Sequence, residues 1–407
     1  MKQIEGGVTA AKGFEAAATA AHIKYEDRDD MALIYSDTPC TAAGTFTSNV
    51  VKAAPVIWDR TLVEKQRKVR AVVVNSGIAN ACTGEEGLSC CRNTARAAAK
   101  ALTIPEDQVA VCSTGIIGLP VPVDKIAAGL NVLAARKNTT KENATAAAAA
   151  IMTTDTHPKE AAVTFQVGNE TMTLGGMSKG SGMIHPNMCT MLAFLTTDAD
   201  LTQAALQAAL SDVVSDTFNM ISVDGDTSTN DTVLLLSNGT AGNPTIRGGT
   251  EAYDRFKEAL FAVCECLARQ MAADGEGAHA LLSVTMTGCV DKAQAKLIAR
   301  SVVSSSLVKT AVAGHDANWG RVLCAMGYAG ADFDPEKVDL FFESDAGTIQ
   351  ILKDGKATGF NEDEATKILS EPEVTILADL KMGDATATAW GCDLTHDYIS
   401  INADYRS

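Results

Sequence analysis

Short apolar runs rich in β-branched residues recur along the chain. RAVVVNSG (70–77), QVAVCSTG (108–115) and VLLLSNG (233–239) each reach a glycine within a few residues, a pattern that predicts buried strands. The same holds for ALLSVTMTG (280–288) and VDLFFES (338–344). The sequence TIQILKDGK carries an Asp-Gly pair between strand-like residues, which predicts a hairpin and therefore some antiparallel pairing.

Between these runs lie segments with helical periodicity or composition. DLTQAALQAALSDVVSDT (200–217) puts four apolar side chains on one helical face, and Asp200 or Thr202 is suited to cap its start. The four are Leu206, Leu210, Val213 and Val214. Residues 91–102, 251–274 and 292–313 also predict helices, the last as one continuous helix.

Small residues are abundant and aromatic residues make up only 5% of the chain, so elements must approach closely through small side chains. Helices and strands alternate throughout, and no internal repeat or low-complexity linker interrupts them. We predict an α/β protein with mixed sheets in layers. The 407 residues suffice for two domains or one large one.

Charge and composition exclude several classes of function. A formal charge of −16 repels nucleic acids and anionic membrane surfaces. No run approaches 18 apolar residues, and the first residues lack a secretory pattern, so we expect a cytoplasmic protein with neither nucleic-acid nor membrane partners. The 11 cysteines are odd in number and form no paired CxxC arrangement, and we expect no metal and no cofactor.

Five segments rich in glycine or hydroxyl residues are candidates for chemistry. None has the spacing of a Walker A loop, a GxGxxG turn or a GxSxG elbow, so these routes to nucleotide binding or hydrolysis are unsupported. The segments are VNSGIANACTG (74–84), CSTGIIG (112–118), SKGSGMIHPNMCTML (178–192), VDGDTSTND (223–231) and DGEGAH (274–279).

Two further motifs invite a catalytic or metal-binding interpretation. Asp224, Asp226 and Asp231 lie close together, but their spacing does not fit an EF-hand, and a turn with side-chain hydrogen bonds is the better interpretation. His315 in GHDANWGR suits either a catalytic or a structural role.

Thr190 stands where a polar, glycine-rich loop runs into an apolar strand-like segment. Its ordinary interpretation is a β-favouring residue that starts a buried strand. The functional interpretation is a nucleophile that becomes N-terminal when the chain cleaves itself, so that its freed α-amine serves as general base. Gly180, Gly182 and Pro186 suit a loop that holds a distorted peptide bond.

Six blocks in order carry a resemblance that spans essentially the whole chain. These are CSTGIIG, KGSGMIHPNMCTMLAF, FNMISVDGDTSTND, DGEGA, GHDANWGR and WGCDLTHDYISINADYRS. Together they resemble the ornithine acetyltransferase family, the bifunctional glutamate N-acetyltransferases of arginine biosynthesis. The resemblance implies the fold of the superfamily that also contains self-processing aminopeptidases.

The resemblance implies cleavage between Cys189 and Thr190 into an α chain (1–189) and a β chain (190–407). Thr190 would then accept acetyl from N-acetylornithine, release ornithine, and pass the acetyl group to glutamate in a ping-pong reaction. Acetyl-CoA is a possible second donor, although no motif identifies a pocket for it. The expected assembly is an α2β2 heterotetramer.

The same resemblance assigns the remaining site residues. Thr114 and Gly115 would form the oxyanion hole, and a glycine brings its N–H close without an obstructing side chain. The substrate-binding set comprises Thr153, Lys179, Thr190, Glu276, Asn402 and Ser407. Thr153 and its neighbour Thr154 are not separable from the sequence alone. A solvated surface charge is the ordinary interpretation of both Lys179 and Glu276.

Three positions depart from the family pattern. Cys189 stands where alanine is common, and His279 and Ser407 stand where threonine is common. They leave the nucleophile intact and bear on substrate contacts. The alternative functions are a self-processing aminopeptidase or amidase, in which water would resolve the acyl-enzyme, and a non-enzymatic acidic binding protein.

Overall fold

The structure, a computed structural model, describes residues 1–185 and 191–403. The strands run in chain order as follows: β1 (Lys2–Ile4), β2 (Phe14–Thr19), β3 (Met31–Phe46), β4 (Val69–Asn75), β5 (Ile78–Ala79), β6 (Val109–Ser113), β7 (Ile116–Ile117), β8 (Lys159–Val167), β9 (Glu170–Lys179), β10 (Leu192–Thr197), β11 (Ile221–Ser222), β12 (Thr232–Ser237), β13 (Leu281–Cys289), β14 (Asp339–Ser344), β15 (Gly347–Lys353), β16 (Lys356–Ala357), β17 (Glu373–Asp379) and β18 (Ala385–Cys392).

The helices are α1 (Ala54–Glu64), α2 (Gly84–Leu102), α3 (Val123–Arg136), α4 (Lys141–Ala150), α5 (Gln203–Asp216), α6 (Glu251–Ala273), α7 (Lys292–Val303), α8 (Ser306–Ala313), α9 (Trp319–Gly327), α10 (Glu362–Leu369) and α11 (His396–Ala403). Short 3-10 turns cover Glu106–Gln108, Phe218–Met220 and Pro335–Lys337. Among the described residues, no helix combines the length and the apolarity that crossing a bilayer requires.

The chain divides into two compact units. The first contains Met1–Gly180, Asn187–Ser215 and Thr227–Leu267, and the second contains Ser181–Pro186, Asp216–Asp226 and Ala268–Ser407. These boundaries differ from the division at residue 189 inferred from the family, which concerns a covalent cut and stays a prediction.

A nine-stranded sheet forms the first unit, in the order β1-β8-β9-β10-β12-β3-β4-β6 with β2 also paired to β3. Most pairs are antiparallel, but β10 with β12 and β4 with β6 are parallel. The long strand β3 serves two groups of neighbours: residues 41–46 pair with β12, and residues 31–36 pair with β2 and β4. Its register shifts between these parts, where residues 37–39 are exposed.

Helices cover this sheet through small side chains. Helix α4 buries Ala144, Ala147, Ala148 and Ala150 and packs on β2 and β3, while α2 and α3 pack on each other. An alanine face lets a helix lie close to a sheet, so the packing expected from the composition is present. In α5 the four predicted face residues are all buried, and the Thr202 hydroxyl accepts from the Ala205 N–H at 3.3 Å, as a cap does.

A seven-stranded mixed sheet forms the second unit, in the order β11-β18-β13-β17-β14-β15-β16. Helix α7 packs on β13 and β18, and α10 packs on β14 and β15. The predicted Asp-Gly hairpin is present: β15 and β16 pair through Lys353 and Lys356, and Asp354 and Gly355 both have positive φ, as a type I′ turn requires. The predicted fold class, α/β with mixed sheets, is confirmed.

One predicted helix is wrong in its extent. Residues 292–313 form two helices, α7 and α8, because the serine run interrupts the first. The Ser305 side chain accepts a hydrogen bond from the Val308 N–H and caps α8. Serine competes for backbone groups in this way and therefore favours helix starts over helix interiors.

Candidate active site

In the sheet of the first unit, the ends of three neighbouring strands lie beside a cluster of polar side chains. Lys179, the last residue of β9, pairs with Leu192, the first residue of β10, and Leu192 pairs with Thr232, the first residue of β12. The sequence placed Lys179 in a glycine-rich loop, and this placement is wrong. Because Lys179 closes a strand, its backbone is fixed by the sheet ladder.

The Lys179 side chain is buried, with only 5% of its surface exposed. Its Nζ donates to the Thr153 hydroxyl at 3.0 Å and to the Thr114 hydroxyl at 3.4 Å. The ordinary interpretation of a solvated lysine is therefore wrong. The structure brings together three of the residues that the sequence singled out, Thr114, Thr153 and Lys179.

Asp155 balances the buried positive charge. Its carboxylate lies 2.7 Å from Lys159 Nζ and 3.9 Å from Lys179 Nζ, and it accepts from the Gly180 N–H at 2.6 Å and the Thr153 N–H at 3.1 Å. Burial alone would raise the pKa of Asp155, but the charges of Lys179 and Lys159 and the hydrogen bonds lower this pKa to about 2. The carboxylate is thus ionised at any physiological pH.

Sequence reasoning missed both Asp155 and Lys159. They lie in an irregular segment and at the start of β8, where no periodic or motif signal marks them. Lys159 is fully buried, and a buried lysine needs a carboxylate partner. The sequence offers one hint, which is that Asp155 stands four positions before Lys159.

The backbone at Thr114 and Gly115 leaves donors available beside Lys179. The Thr114 N–H is used, since it donates to Asn75 O at 3.0 Å. The Gly115 N–H makes no hydrogen bond with the described residues. Because the Thr114 hydroxyl accepts from Lys179, its own proton remains free to donate, so one O–H and one N–H are available for an oxyanion.

Gly115 is required by space and by conformation. Its φ is +125°, and a Cβ there would overlap the carbonyl group of Gly77. The segment after β6 does not lead directly into a helix, because β7 follows and pairs in parallel with β5. The backbone therefore passes from one strand to the next at Gly115, in close approach to Gly77, and this passage sets the direction of the Gly115 N–H.

Glu276 and Asn402 come together in the second unit. Asn402 Nδ2 donates to Glu276 Oε2 at 2.7 Å and to Tyr398 O at 3.0 Å. The Glu276 N–H donates to Ser181 O at 2.8 Å, and a Cβ on Gly182 would overlap its carboxyl group. Glu276 is only 8% exposed, so the interpretation as a solvated surface charge is wrong here too.

Cys189, Thr190 and Ser407 lie outside the described residues, and their predicted roles stay predictions. The chain is described again from Met191, whose N–H donates to Asp231 Oδ1 at 3.0 Å. The sequence considered Asp231 only as a member of a polar turn.

The remaining candidate motifs make local contacts in the described chain. Asp224 accepts from the backbone N–H groups of Met183, Ile184 and Asp226, as expected of a hydrogen-bonded turn. Among residues 1–185 and 191–403, no group of three side chains is arranged to hold a metal ion. His315 is exposed, with Nδ1 3.3 Å from the Ser370 hydroxyl.

A cavity of about 750 Å³ lies within the second unit. Asp224, His279, Lys309 and Tyr398 are among its lining residues. None of the described residues assigned to catalysis or substrate binding lines it, so the cavity does not mark the candidate site.

Known proteins are similar to this chain over essentially its full length. The model of the ArgJ family matches residues 15–407. The arginine biosynthesis bifunctional protein ArgJ of Symbiobacterium thermophilum is 51% identical over 409 residues, covering 100% of both chains. That of Thermotoga neapolitana is 49% identical over 397 residues, covering 97% of this chain and 99% of the relative.

A solved structure is similar as well. The crystal structure of the arginine biosynthesis bifunctional protein from Bacillus halodurans shares 46% identity with a TM-score of 0.50. The match covers 52% of this chain and 97% of the solved one.

The fold, the buried polar cluster and these likenesses together define an α/β enzyme of the acyltransferase class that works in arginine biosynthesis. More narrowly, the chain belongs to the ArgJ family. The resemblance read from the six sequence blocks is confirmed, and so are the predicted family fold and the prediction of an acyltransferase.

Proposed function

We propose that the protein is a self-processing glutamate N-acetyltransferase that moves acetyl from N-acetylornithine to glutamate. Self-cleavage between Cys189 and Thr190 frees the α-amine of Thr190. That amine then acts as general base for the Thr190 hydroxyl. The observation that carries the proposal is the cluster of Lys179, Thr114 and Thr153, next to the Gly115 N–H, which makes no hydrogen bond with the described residues.

In the first half-reaction, Thr190 Oγ attacks the acetyl carbonyl and its proton passes to the Thr190 amine. The Thr114 hydroxyl and the Gly115 N–H stabilise the tetrahedral oxyanion. Collapse breaks the C–N bond, the departing ornithine nitrogen takes the proton, and Thr190 keeps the acetyl group as an ester. In the second half-reaction the glutamate amine attacks this ester, and N-acetylglutamate leaves.

The charged groups suit substrates that carry charges at both ends. Lys179 supplies a cation for an α-carboxylate, and the ionised Asp155 carboxylate lies 3.9 Å from its Nζ. Glu276, oriented by Asn402, supplies an acceptor for a substrate amine. Ser407 remains the proposed last member of the binding set.

The length of the solved relative supports cleavage. Its chain is almost wholly covered by a match that spans only about half of this chain, at 46% identity. A chain of half length is what a cut near the middle of a precursor produces. We extend this cut to Cys189 and Thr190, and we propose a cytoplasmic α2β2 assembly that uses no cofactor and accepts acetyl-CoA as a possible second donor.

Intact-mass measurement of the purified protein tests the proposal first. We expect fragments 1–189 and 190–407, and incubation with N-acetylornithine alone should add one acetyl group to the second fragment only. Glutamate should then remove the added mass and yield N-acetylglutamate. Release of free acetate without N-acetylglutamate would instead support the amidase alternative.

A nucleophile variant with a matched control completes the test. Thr190→Ala should abolish both cleavage and acetyl loading, since no hydroxyl remains at the cut. Thr139→Ala, at an exposed position next to α4, should leave both unchanged. An intact wild-type chain without transfer activity would support the non-enzymatic binding protein.

A further inference from the structure

A buried carboxyl group holds the peptide bond that follows the proposed nucleophile. Asp231 is 2% exposed and directly precedes β12, just as Met191 directly precedes β10. Asp231 Oδ1 accepts from the Met191 N–H at 3.0 Å. This amide belongs to the bond that joins Thr190 to Met191.

This contact is one of two hydrogen bonds that fix the backbone of Met191. The Thr232 N–H donates to Met191 O at 3.1 Å, so both backbone polar groups of Met191 are bound by consecutive residues. The N–H and the C=O of one strand residue point to the same neighbouring strand. The Asp231 side chain therefore takes the place of a backbone acceptor at the point where the β10–β12 ladder begins.

Asp231 is itself fixed in place. Its backbone O accepts from the Thr47 N–H at 3.0 Å, which ties it to the end of β3. The Thr47 hydroxyl donates to Ser228 O at 2.7 Å, and the hydroxyl groups of Thr47 and Ser228 both lie close enough to the carboxyl group to lower its pKa. Among the described residues, Asp231 Oδ2 is buried without a hydrogen-bond partner.

An aspartate is a costly choice for this position if structure alone is needed. Burial raises the pKa of Asp231 well above its ordinary value, and the Met191 amide, the charge of Lys179 and the Ser228 and Thr47 hydroxyls offset this only in part. Leaving a buried carboxyl oxygen without a partner costs free energy. Such costs are typical of sites where the side chain serves a function.

We propose that Asp231 is a positioning residue: by holding the Met191 N–H it fixes the Thr190–Met191 peptide, and thereby the nucleophile, for self-cleavage and acetyl transfer. This inference rests on the proposed function, because it assigns the nucleophile to Thr190. The role requires an acceptor atom at Oδ1 and does not require a negative charge.

Two substitutions separate the acceptor from the charge. Asp231→Asn keeps an oxygen acceptor of nearly the same shape, and Asp231→Ala removes it. Misplacing a reacting group by about 1 Å costs on the order of 100-fold in rate. We therefore expect Asp231→Ala to slow self-cleavage by about 100-fold and Asp231→Asn to stay within a few-fold of the wild type.

Ser237→Ala is the matched control. Ser237 ends β12, is 3% exposed, and its hydroxyl donates to Ala199 O at 2.6 Å. The substitution removes one buried side-chain hydrogen bond from the opposite end of the same strand. It should destabilise the sheet while leaving the rate of cleavage at the wild-type level.

The experiment follows cleavage of the full-length chains by intact mass over time, and then measures kcat and KM for acetyl transfer by the cleaved material. For Asp231→Ala we expect a lower kcat with KM for both substrates little changed. A purely structural role would lower the amount of folded protein without this split. If Asp231→Ala does not fold, the rate of cleavage of Asp231→Asn tests the role instead. Because this variant retains the acceptor, it should stay within a few-fold of the wild type.

Each outcome bears on a definite claim. Cleavage and turnover of Asp231→Ala at the rates of Ser237→Ala would overturn the positioning role while leaving the proposed function intact. Equal loss in Asp231→Asn and Asp231→Ala would also overturn it, since the charge would then be essential. A wild-type chain that neither cleaves nor transfers acetyl would overturn the proposed function, and this inference with it.

Discussion

Asp155 and Asp231 are buried aspartates near the same strand ends, yet their surroundings differ in kind. Asp155 has two lysines and two backbone N–H groups around its carboxylate. Asp231 has one backbone N–H at one oxygen, and its other oxygen has no hydrogen-bond partner in the described chain. The pKa is lowered to about 2 for Asp155 and raised well above the ordinary value for Asp231.

The difference teaches that burial alone does not decide the charge of a carboxyl group. Both side chains are almost completely removed from water, and the number of positive and N–H partners separates them. Asp155 is suited to hold cations in place, whereas Asp231 is suited to accept a hydrogen bond from a backbone N–H. Four predictions test this contrast and its extensions.

The largest effect is expected from Asp155→Ala. It would remove the carboxylate that lies 2.7 Å from the fully buried Lys159 and 3.9 Å from the nearly buried Lys179, which costs about 3–5 kcal/mol. Urea unfolding should show the loss as a lower midpoint. The control is Asp37→Ala, which removes an exposed carboxylate 3.6 Å from Arg70 and should cost about 1 kcal/mol or less. Equal losses in both variants would contradict the contrast.

The second-largest effect is expected from Gly115→Ala, which tests the backbone of the site rather than its charges. The added Cβ meets the Gly77 carbonyl group at a φ of +125°, which we expect to cost about 1–3 kcal/mol. The shift of the backbone should also misdirect the N–H of residue 115 as an oxyanion donor and lower kcat by about 100-fold. Gly118→Ala is the control, since Gly118 has a φ of +85° with open space around it. Its kcat should remain near the wild-type value.

A third buried carboxyl group, Asp59, has hydrogen-bond donors, but no positive partner in the described chain shifts its pKa. It accepts from the Val111 N–H at 2.9 Å and the Cys112 thiol at 3.3 Å, but burial raises its pKa to about 8. In the unfolded chain its pKa is about 3.9, so the folded state holds the extra proton and stability falls as pH rises from about 4 through about 8.

Asp59→Asn should flatten that fall, because the amide cannot titrate. The free energy of unfolding, measured by urea at intervals between pH 5 and pH 9, is the readout. Asp155 has the opposite sign: its stabilisation is complete above its unfolded pKa and is lost only as pH falls through about 2. An unchanged pH slope in Asp59→Asn would remove Asp59 from this account.

The smallest effect is expected from Ser305→Ala, where the lost partner is neutral. Removing the cap from the Val308 N–H should cost about 1 kcal/mol. Ser306→Ala, one position further and exposed, should change the midpoint of thermal unfolding very little. A larger loss at Ser306 than at Ser305 would show that the cap is misassigned.

Local features of the fold were accessible from the sequence. The strands before Gly77 and Gly115, the apolar face of α5 and the turn at Asp354 and Gly355 all depend on residues within a few positions of one another. The break between α7 and α8 was missed because apolar periodicity continues across the serines, although Ser305 carries the capping signal.

Long-range pairing decided what the sequence did not reveal. Lys179 looks like a loop residue because glycines follow it, yet its pairing with Leu192 makes it the end of a strand. Asp155 has no motif of its own, and its importance depends on where Lys179 lies. The proximity of Thr114, Thr153 and Lys179 was implied by family resemblance and not by spacing along the chain.

The pairing of β9 with β10 has a further consequence for a chain cut at residue 189. Six registered residue pairs join these strands, one on each side of the cut, and β10 continues into the sheet through β12. Neither fragment contains the whole nine-stranded sheet, so separating the fragments would break that sheet between β9 and β10. The molecule is then a natural split protein, and two separately expressed halves that begin and end at this junction should reconstitute each other.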